Sequence, residues 1–139
     1  MVGALVTDGY NPLRWDCNKR GCFNIKRRPK IEVFSGCFPG AISFGDVDGI
    51  VEINGRALML EWKTDTKEPT TGQRIMYERI TRTKIVTVLL VVGNAETMVV
   101  SHMGNFFKGK QSKLKEANLE DVKHSIKRWV TWAQKTPIA

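Results

Sequence analysis

The chain has no long hydrophobic run. No apolar stretch approaches the ~18–20 residues that cross a bilayer, so a membrane-spanning protein is not expected. The beginning of the sequence also lacks the basic start and long apolar stretch of a signal peptide. We therefore expect a cytoplasmic protein that has no membrane partner.

Cysteine and histidine are scarce. The 3 cysteines are an odd number in a chain without a secretory signal, which argues against a disulfide framework. Cys17, Cys22 and Cys37 offer ligands for Zn²⁺, but a structural zinc site normally has four ligands and neither histidine is near in sequence. We expect these thiols to be reduced and free of zinc.

Acidic residues are few, with 14 Asp and Glu against 22 Lys and Arg and a net charge of +8. They are also unevenly distributed, because residues 31–60 carry a net charge of −3 inside an otherwise basic chain. An acidic island among Lys and Arg is what a cation site facing a polyanion needs. The charge pattern predicts contact with nucleic acid, although a basic protein that binds nothing in particular has a similar composition.

No internal repeat divides the chain, and its 139 residues suit a single domain, 1–139, with a basic, irregular segment at 1–30. Residues 30–37 fit either a strand or a short helix. Residues 84–92 are a β-branched run typical of a central strand covered on both faces, and residues 96–103 predict a further strand. The predicted order is an irregular start, three strands, a helix, two strands and a helix.

The most informative stretch holds two apolar-rich runs, 49–53 and 56–62, separated by Asn54-Gly55. Asn-Gly is the strongest short signal for a two-residue type I′ hairpin turn. Because a turn of known length fixes which residues face one another, the register of the whole hairpin follows from these letters.

This register brings four charged side chains to one side of the sheet, with Asp48 facing Glu61 and Asp46 facing Lys63. Like charges that face each other destabilise a sheet unless something offsets them. A divalent cation does so, since Mg²⁺ is usually held by one or two carboxylates. Lys63 would steady an attacking water or the charge developing on phosphate. The residues therefore indicate metal-assisted phosphodiester hydrolysis, although an ordinary ion pair with Lys63 also accounts for Asp46.

With Asp48, then Glu61-Trp62-Lys63 after a short hairpin, then Gln73 in a predicted helix, the chain resembles the core of the PD-(D/E)xK nuclease superfamily. It is most similar to the compact members that include archaeal Holliday-junction resolvases and the VRR-NUC nucleases. The resemblance covers roughly the middle third to half of the chain. It departs from the pattern at Val47, where a proline often precedes the aspartate.

The resemblance implies an α/β fold with a restriction-endonuclease-like core, in which helices flank a central mixed β-sheet. It also implies a DNA endonuclease that depends on Mg²⁺ or Mn²⁺. Asp48 and Glu61 would hold the cation, the backbone carbonyl of Trp62 would be a further ligand, and Lys63 would orient or activate the attacking water. Gln73 would assist by bonding the phosphate or that water. The side chain of Trp62 alternates to the opposite face, into the core.

Two further acids are weaker metal candidates. In the superfamily a helix before the hairpin often carries an acid that reaches the metal, and Glu32 is the one acid between Asp16 and Asp46. An exposed surface charge explains Glu32 equally well. Asp46 is the second weaker candidate, because Asp48 and not Asp46 faces Glu61.

A threonine cap at Thr70-Thr71 predicts a helix over residues 72–80. Gln73, Tyr77 and Ile80 lie on one face of this helix, and its apolar members should turn the face towards the sheet and carry Gln73 to the site. The alternative is a glutamine that serves only as a polar cap.

The last third of the chain predicts a loop and a helix. Residues 104–111 predict a loop whose phenylalanines and lysines either stack on unpaired bases or anchor the core. His102, just before it, is interpreted as structural. Asn118 and Asp121 form a variant capping box, and apolar residues repeat after them at helical spacing. We expect this closing helix to pack on the sheet.

The residues predicted to contact DNA are basic and outside the acidic island: Lys26, Arg27, Arg28, Lys30, Arg74, Lys108 and Lys110. For the first four, a solvated charge run is an equal alternative. Branched or structured DNA is one substrate that the resemblance implies, and junctions, ends, flaps and ordinary duplex all stay open. By analogy, a homodimer would let a short nuclease address two strands. The brevity of the chain also points to a phage or mobile element.

The alternative function is a non-catalytic nucleic-acid-binding module that keeps the nuclease fold. Its sign would be a broken Asp or ExK, and neither is broken here.

Overall fold

The computed structural model describes Pro29 and residues 31–138. The chain divides into two compact units, Met1–Gly45 and Asp46–Ala139. In the first unit, Ile31–Cys37 forms a 3₁₀ helix with no buried residue. The short-helix alternative is therefore correct and the predicted third strand before the hairpin is wrong. Its backbone bonds are local, as where the Phe38 N–H donates to the Ser35 carbonyl, so no neighbouring strand is needed.

The second unit is built on a mixed sheet of six strands. They are β1 (Gly49–Ile53), β2 (Arg56–Lys63), β3 (Val86–Gly93), β4 (Val100–Phe107), β5 (Lys110–Gln111) and β6 (Lys115–Glu116). The strands lie in the order β1-β2-β3-β4-β5, and β6 also pairs with β4. β2 and β3 are parallel, and the other neighbouring pairs are antiparallel.

Two helices cover the two faces of this sheet. Helix α1 (Thr71–Thr81) connects β2 to β3, and helix α2 (Leu119–Lys135) follows β6. Alternate residues of β3 pack on opposite sides: Val88 and Leu90 lie in the core beneath α1, whereas Leu89 and Val91 lie in the core beneath α2. We call these two sides the α1 face and the α2 face. The predicted α/β architecture, a central mixed sheet flanked by helices, is confirmed.

Both helices begin at the capping boxes that the sequence predicts. Thr70 and Gln73 cap α1 through reciprocal side-chain and backbone bonds, and Asn118 and Asp121 do the same for α2. The predicted packing of α2 on the sheet is confirmed, since Trp129 and the other apolar residues of α2 lie in the core. In the described part of the chain, neither helix is long and apolar enough to cross a membrane.

The hairpin between β1 and β2 has the predicted turn and register. Asn54 and Gly55 both have positive φ, 53° and 88°, as a type I′ turn requires. The facing pairs run from Ile53 and Arg56 at the turn to Gly49 and Leu60. The ladder stops there, one pair short of Asp48.

The boundaries of β4 differ from the prediction. The strand predicted to begin near Glu96 begins at Val100, because the Asn94 side chain accepts hydrogen bonds from the N–H groups of Glu96 and Thr97 and folds this segment into a tight loop. The predicted loop over 104–111 is also wrong. It is the second half of β4, a two-residue turn at 108–109 with positive φ at both residues, and β5.

Phe106 shows why the chain stays extended through that predicted loop. Its side chain is 0% exposed and packs with Val88 and Tyr77 on the α1 face. The core-anchor alternative is therefore correct for Phe106, which has no exposed face on which an unpaired base could stack.

Candidate active site

Glu61 and Lys63 lie on the α1 face at the carboxyl end of β2. They alternate in step with Met59, which packs in the core on that face. Trp62 points to the α2 face, where it packs against the core and its indole N–H donates to the Gly93 carbonyl at 3.0 Å. The prediction that the Trp62 side chain turns away from Glu61 and Lys63 into the core is confirmed.

Asp48 reaches the same end of β2 from the other arm of the hairpin. It lies in a bend before β1, and its Oδ2 accepts a hydrogen bond from the Trp62 N–H at 2.6 Å. A regular ladder would pair that N–H with the carbonyl of Val47, so the carboxylate replaces a backbone acceptor. The expected cross-strand pair of Asp48 and Glu61 is therefore wrong as a strand pair. The two carboxylates still interact, since the charge of Asp48 raises the pKa of Glu61.

The Trp62 backbone carbonyl points towards this same side. In a strand, the N–H and C=O of one residue point towards the same neighbouring strand. The Ala57 N–H donates to the Ile85 carbonyl, so the odd-numbered residues of β2 direct their backbone towards β3 and the even-numbered ones towards β1. Trp62 is even-numbered and its N–H meets Asp48, so its carbonyl also lies on the side of Asp48. This direction fits the predicted carbonyl ligand.

Glu61 is half-buried, and its neighbours shift the pKa of its carboxyl in opposite directions. Burial raises the pKa of its carboxyl above the ordinary value, a hydrogen bond from the Tyr77 hydroxyl lowers it, and the negative charge of Asp48 raises it. The positive charge of Lys63 lowers the same pKa, and Asp46 raises it slightly. Three of the predicted residues, Asp46, Asp48 and Lys63, thus lie within electrostatic range of Glu61.

Tyr77 belongs to the candidate site and is absent from the residues predicted for it. Its side chain is 3% exposed, and burial together with the charge of Glu61 raises the pKa of its hydroxyl above the ordinary value. The hydroxyl therefore stays protonated and donates to the Glu61 carboxylate. From the sequence, Tyr77 is predicted on the sheet-facing side of α1 as one of the apolar members of that face. A signal was present, because a buried tyrosine hydroxyl normally needs a polar partner.

A pocket of about 240 Å³ opens between the end of β2 and the start of α1. Its polar lining includes Glu61, Lys63, Asp65, Gln73 and Tyr77. The Gln73 Oε1 accepts a hydrogen bond from the Thr70 N–H at 3.2 Å, so Gln73 does form part of the helix cap, and its role at the phosphate or the water stays a prediction. The cap leaves the amide nitrogen of Gln73 for a ligand in the pocket. The helix therefore brings Gln73 to the site as predicted.

The weaker metal candidates lie in different places. Asp46 acts on Glu61 electrostatically, whereas Glu32 lies in the 3₁₀ helix of the first unit. Among Pro29 and residues 31–138, no three His, Cys, Asp or Glu side chains are grouped so that they could hold a metal ion. The described residues thus offer two carboxylates and a backbone carbonyl at this site. A ligand role for Glu32 or Asp46 stays a prediction.

The predicted DNA contacts are not gathered at the pocket. Arg74 pairs with Glu78 at 3.2 Å along α1. Lys108 and Lys110 are exposed at the turn between β4 and β5, where the Gly109 N–H donates to Thr81 at the far end of α1. The sequence-predicted basic residues Lys26, Arg27, Arg28 and Lys30 lie outside the described residues, as do Cys17 and Cys22. Cys37 is an exposed free thiol.

Comparisons of this chain with protein-family models, with curated proteins and with solved structures found no match.

Proposed function

We propose that this chain is a divalent-metal-dependent DNA endonuclease with a restriction-endonuclease-like core. The observation that carries the proposal is the meeting of Asp48, Glu61 and Lys63 at the carboxyl end of β2. β2 is parallel to β3, and ligand sites of α/β sheets favour the carboxyl ends of parallel strands. The resemblance to the PD-(D/E)xK superfamily rests on these same residues.

The oxygen donors at this site fit Mg²⁺ or Mn²⁺. Asp48 has one carboxylate oxygen left after its bond to the Trp62 N–H, the Glu61 carboxylate is half-exposed, and the Trp62 carbonyl points to their side. Mg²⁺ prefers such oxygen ligands and leaves its other positions to water and substrate phosphate. When bound, the cation supplies positive charge that polarises the phosphodiester and activates water.

The protein groups supply orientation and charge. The Lys63 ammonium orients the attacking water and stabilises the negative charge that develops on phosphate. The Tyr77 hydroxyl fixes the Glu61 carboxylate and favours its ionised form against the effect of burial. The Gln73 amide nitrogen donates to a phosphate oxygen while its oxygen holds the helix cap. Each group thus acts from a position fixed by β2 or α1.

A cleavage panel tests the proposal. Purified protein is incubated with linear, nicked, branched and single-stranded DNA in Mg²⁺ or in EDTA, and products are resolved on gels. We expect cleavage in Mg²⁺ only, with losses of at least ~10²-fold in Glu61→Ala and Lys63→Ala. Glu96→Ala and Lys127→Ala are matched controls, because both residues are exposed and outside the pocket.

Two outcomes would contradict the proposal. Tight DNA binding without product in any divalent metal would support the non-catalytic binding module instead. Cleavage that survives in both Glu61→Ala and Lys63→Ala would place the chemistry elsewhere. The branched arm of the panel tests whether the chain prefers structured DNA, and light scattering of the purified protein tests whether it forms a homodimer.

A further inference from the structure

A second and larger pocket, about 720 Å³, lies on the α2 face between β4, β6 and α2. The sheet separates it from the proposed active site, which lies on the α1 face. Its volume falls in the range of about 300–1,000 Å³ that is typical of small-molecule sites. No step of the proposed cleavage uses this pocket.

Two buried polar atoms belong to residues that line this pocket. The Thr87 hydroxyl and the Trp129 indole N–H have no hydrogen-bond partner within the described part of the chain. Both residues are more than nine-tenths buried, at 7% and 8% exposed. Buried polar groups in folded proteins are nearly always paired, so these two atoms lack a partner that the described chain does not supply. Both atoms are closed off from solvent in this structure, so a ligand in the pocket would reach them after a shift of the lining side chains, and the indole N–H would need an acceptor on that ligand.

The rest of the wall is apolar and aromatic. Leu58, Leu89 and Met103 belong to its sheet side. Phe107 and Trp132 also line it, with ring centroids 5.3 Å apart in an edge-on arrangement. Aromatic and apolar walls of this kind suit a flat ring, because they offer large contact area at low entropic cost.

The pocket rim carries positive charge. Lys113, Lys115 and Arg128 line it, and among the residues that the structure describes none of the three forms a salt bridge. Two acids, Glu116 and Asp121, also line the pocket, so its basic side chains outnumber its acidic ones by three to two. Three unpaired cations beside an aromatic cleft favour a ligand that has an anionic group next to its ring.

We propose that this pocket binds a nucleotide. The base would lie against the aromatic wall, a shift of the lining side chains would let it bond the Trp129 indole N–H and the Thr87 hydroxyl, and its phosphate would meet Lys113, Lys115 and Arg128. Base stacking on aromatic side chains and phosphate contact with Lys or Arg are the two elements of sequence-tolerant nucleotide binding. A free mononucleotide and an unstacked nucleotide of a single strand share this chemistry. The proposal does not depend on cleavage, since the site is on the other face of the sheet.

The test measures binding without catalysis. The full chain is titrated calorimetrically, in EDTA, with the four common mononucleotides and with a short single-stranded oligonucleotide. We expect saturable binding that weakens by roughly 5–10-fold in Thr87→Val, which removes one hydrogen bond and keeps the shape of the wall. Trp129→Phe removes the indole donor together with part of the ring, so it should weaken binding by at least as much. Arg128→Ala should weaken binding of the mononucleotide and leave unchanged the binding of the matching nucleoside, which lacks the phosphate and is titrated alongside it.

Matched controls separate the site from general effects. Thr131→Val and Lys127→Ala alter exposed residues of α2 that do not line the pocket, and they should bind as the unaltered chain does. Circular dichroism melting confirms that each variant is folded.

The ratio of the two affinities identifies the ligand. Equal affinity for mononucleotide and oligonucleotide identifies a free nucleotide, and much tighter binding of the oligonucleotide identifies a strand. The absence of saturable binding at millimolar ligand, or affinities that none of the pocket variants changes, would overturn the proposal whether or not the chain cleaves DNA.

Discussion

At the scale of single residues, Glu61 is both a proposed metal ligand and a carboxyl group whose ionised form destabilises the folded chain. Its pKa in the folded chain is raised, chiefly by burial, so the protonated form is the one that folding favours. The stabilisation from this preference is fully present below the unfolded pKa and is lost as the pH rises through the folded pKa. Ionising the Glu61 carboxyl therefore costs more free energy in the folded chain than in the unfolded chain.

Glu61→Gln is predicted to remove this cost and the activity together. We expect the free energy of unfolding at pH 7 to rise by a few tenths to about 1 kcal/mol, a modest gain because solvent screens a half-exposed group. Urea denaturation at pH 7 and at pH 4 measures the effect, and the gain should shrink at pH 4. Glu96→Gln on an exposed loop is the matched control. A loss of stability at pH 7 would mean that Glu61 is favourably paired in its ionised form.

Tyr77→Phe is predicted to move the acid limb of the cleavage profile to higher pH. The hydroxyl lowers the pKa of Glu61 by hydrogen bonding, so its removal leaves burial and Asp48 to raise that pKa further. The phenyl ring keeps the contact with Phe106, whose ring centroid lies 5.2 Å away, and folding should be preserved. Initial cleavage rates across the acid range give the shift. An unmoved limb with an unchanged maximum would show that Tyr77 is only a core residue.

The residues of the candidate site were largely predictable because one turn type fixes a register. Asn54-Gly55 was sufficient to bring Asp48 near Glu61 and to send Trp62 to the other face. What the letters do not contain is the replacement of a backbone acceptor by the Asp48 carboxylate, which ends the ladder early. The role of Tyr77 depends on the tilt of α1 over β2, and a helical face alone does not define that tilt.

At the scale of elements, the hairpin turn supports the site. Gly55 has φ of +88°, and a Cβ added to it would lie 2.8 Å from the Ile138 Cβ. Gly55→Ala is therefore predicted to destabilise the fold by about 1–3 kcal/mol, from left-handed backbone strain and the close contact together. Chemical denaturation measures this loss.

Gly72→Ala is the matched control for that substitution. Gly72 lies in the first turn of α1 with open space at its Cβ position, so alanine should leave stability unchanged or raise it by up to about 1 kcal/mol. Equal effects of the two substitutions would indicate that the hairpin turn is not strained by a side chain.

Elements with strong local signals were the ones that the sequence predicted well. Both capped helices and the buried strand β3 are found, because capping boxes and β-branched runs act locally. β4 was misplaced at both ends. Its start depends on the Asn94 side chain bonding the backbone ahead of it, and its end depends on the partner strand that buries Phe106. Neither interaction has a periodic signature in the letters.

At the scale of the whole molecule, the second unit presents different chemistry on the two faces of one sheet. The α1 face carries the acidic residues at the end of β2, and the α2 face carries the aromatic pocket with a basic rim. The proposed cleavage site lies on one face and the proposed nucleotide site on the other. One DNA molecule could occupy both sites if its strand passed around the edge of the sheet. The net charge of +8 favours such contact by releasing counterions from the phosphate backbone.

Duplex DNA that is bound at the pocket is predicted to run along α1 to Lys108 and Lys110. Lys108 and Lys110 lie beside Thr81, eight residues along α1 from Gln73, which places them about 12 Å from the pocket at 1.5 Å per residue. A backbone seated at the pocket would reach both lysines. In the double variant Lys108→Ala and Lys110→Ala, the plot of log DNA affinity against log salt concentration should become less steep. The magnitude of its slope should fall by about 1.8, at about 0.9 per phosphate contact.

Arg74 and Lys127 make this measurement specific to position. Arg74→Ala should change the slope by less than one contact, since Glu78 already neutralises part of its charge. Lys127→Ala removes an exposed charge on α2 and should leave the slope unchanged. Fluorescence anisotropy of labelled duplex in EDTA gives all the slopes without cleavage. Lys127→Ala removes one positive charge, and the double variant removes two. If the change in slope per charge removed is the same in both, DNA is attracted by net charge alone and does not follow α1.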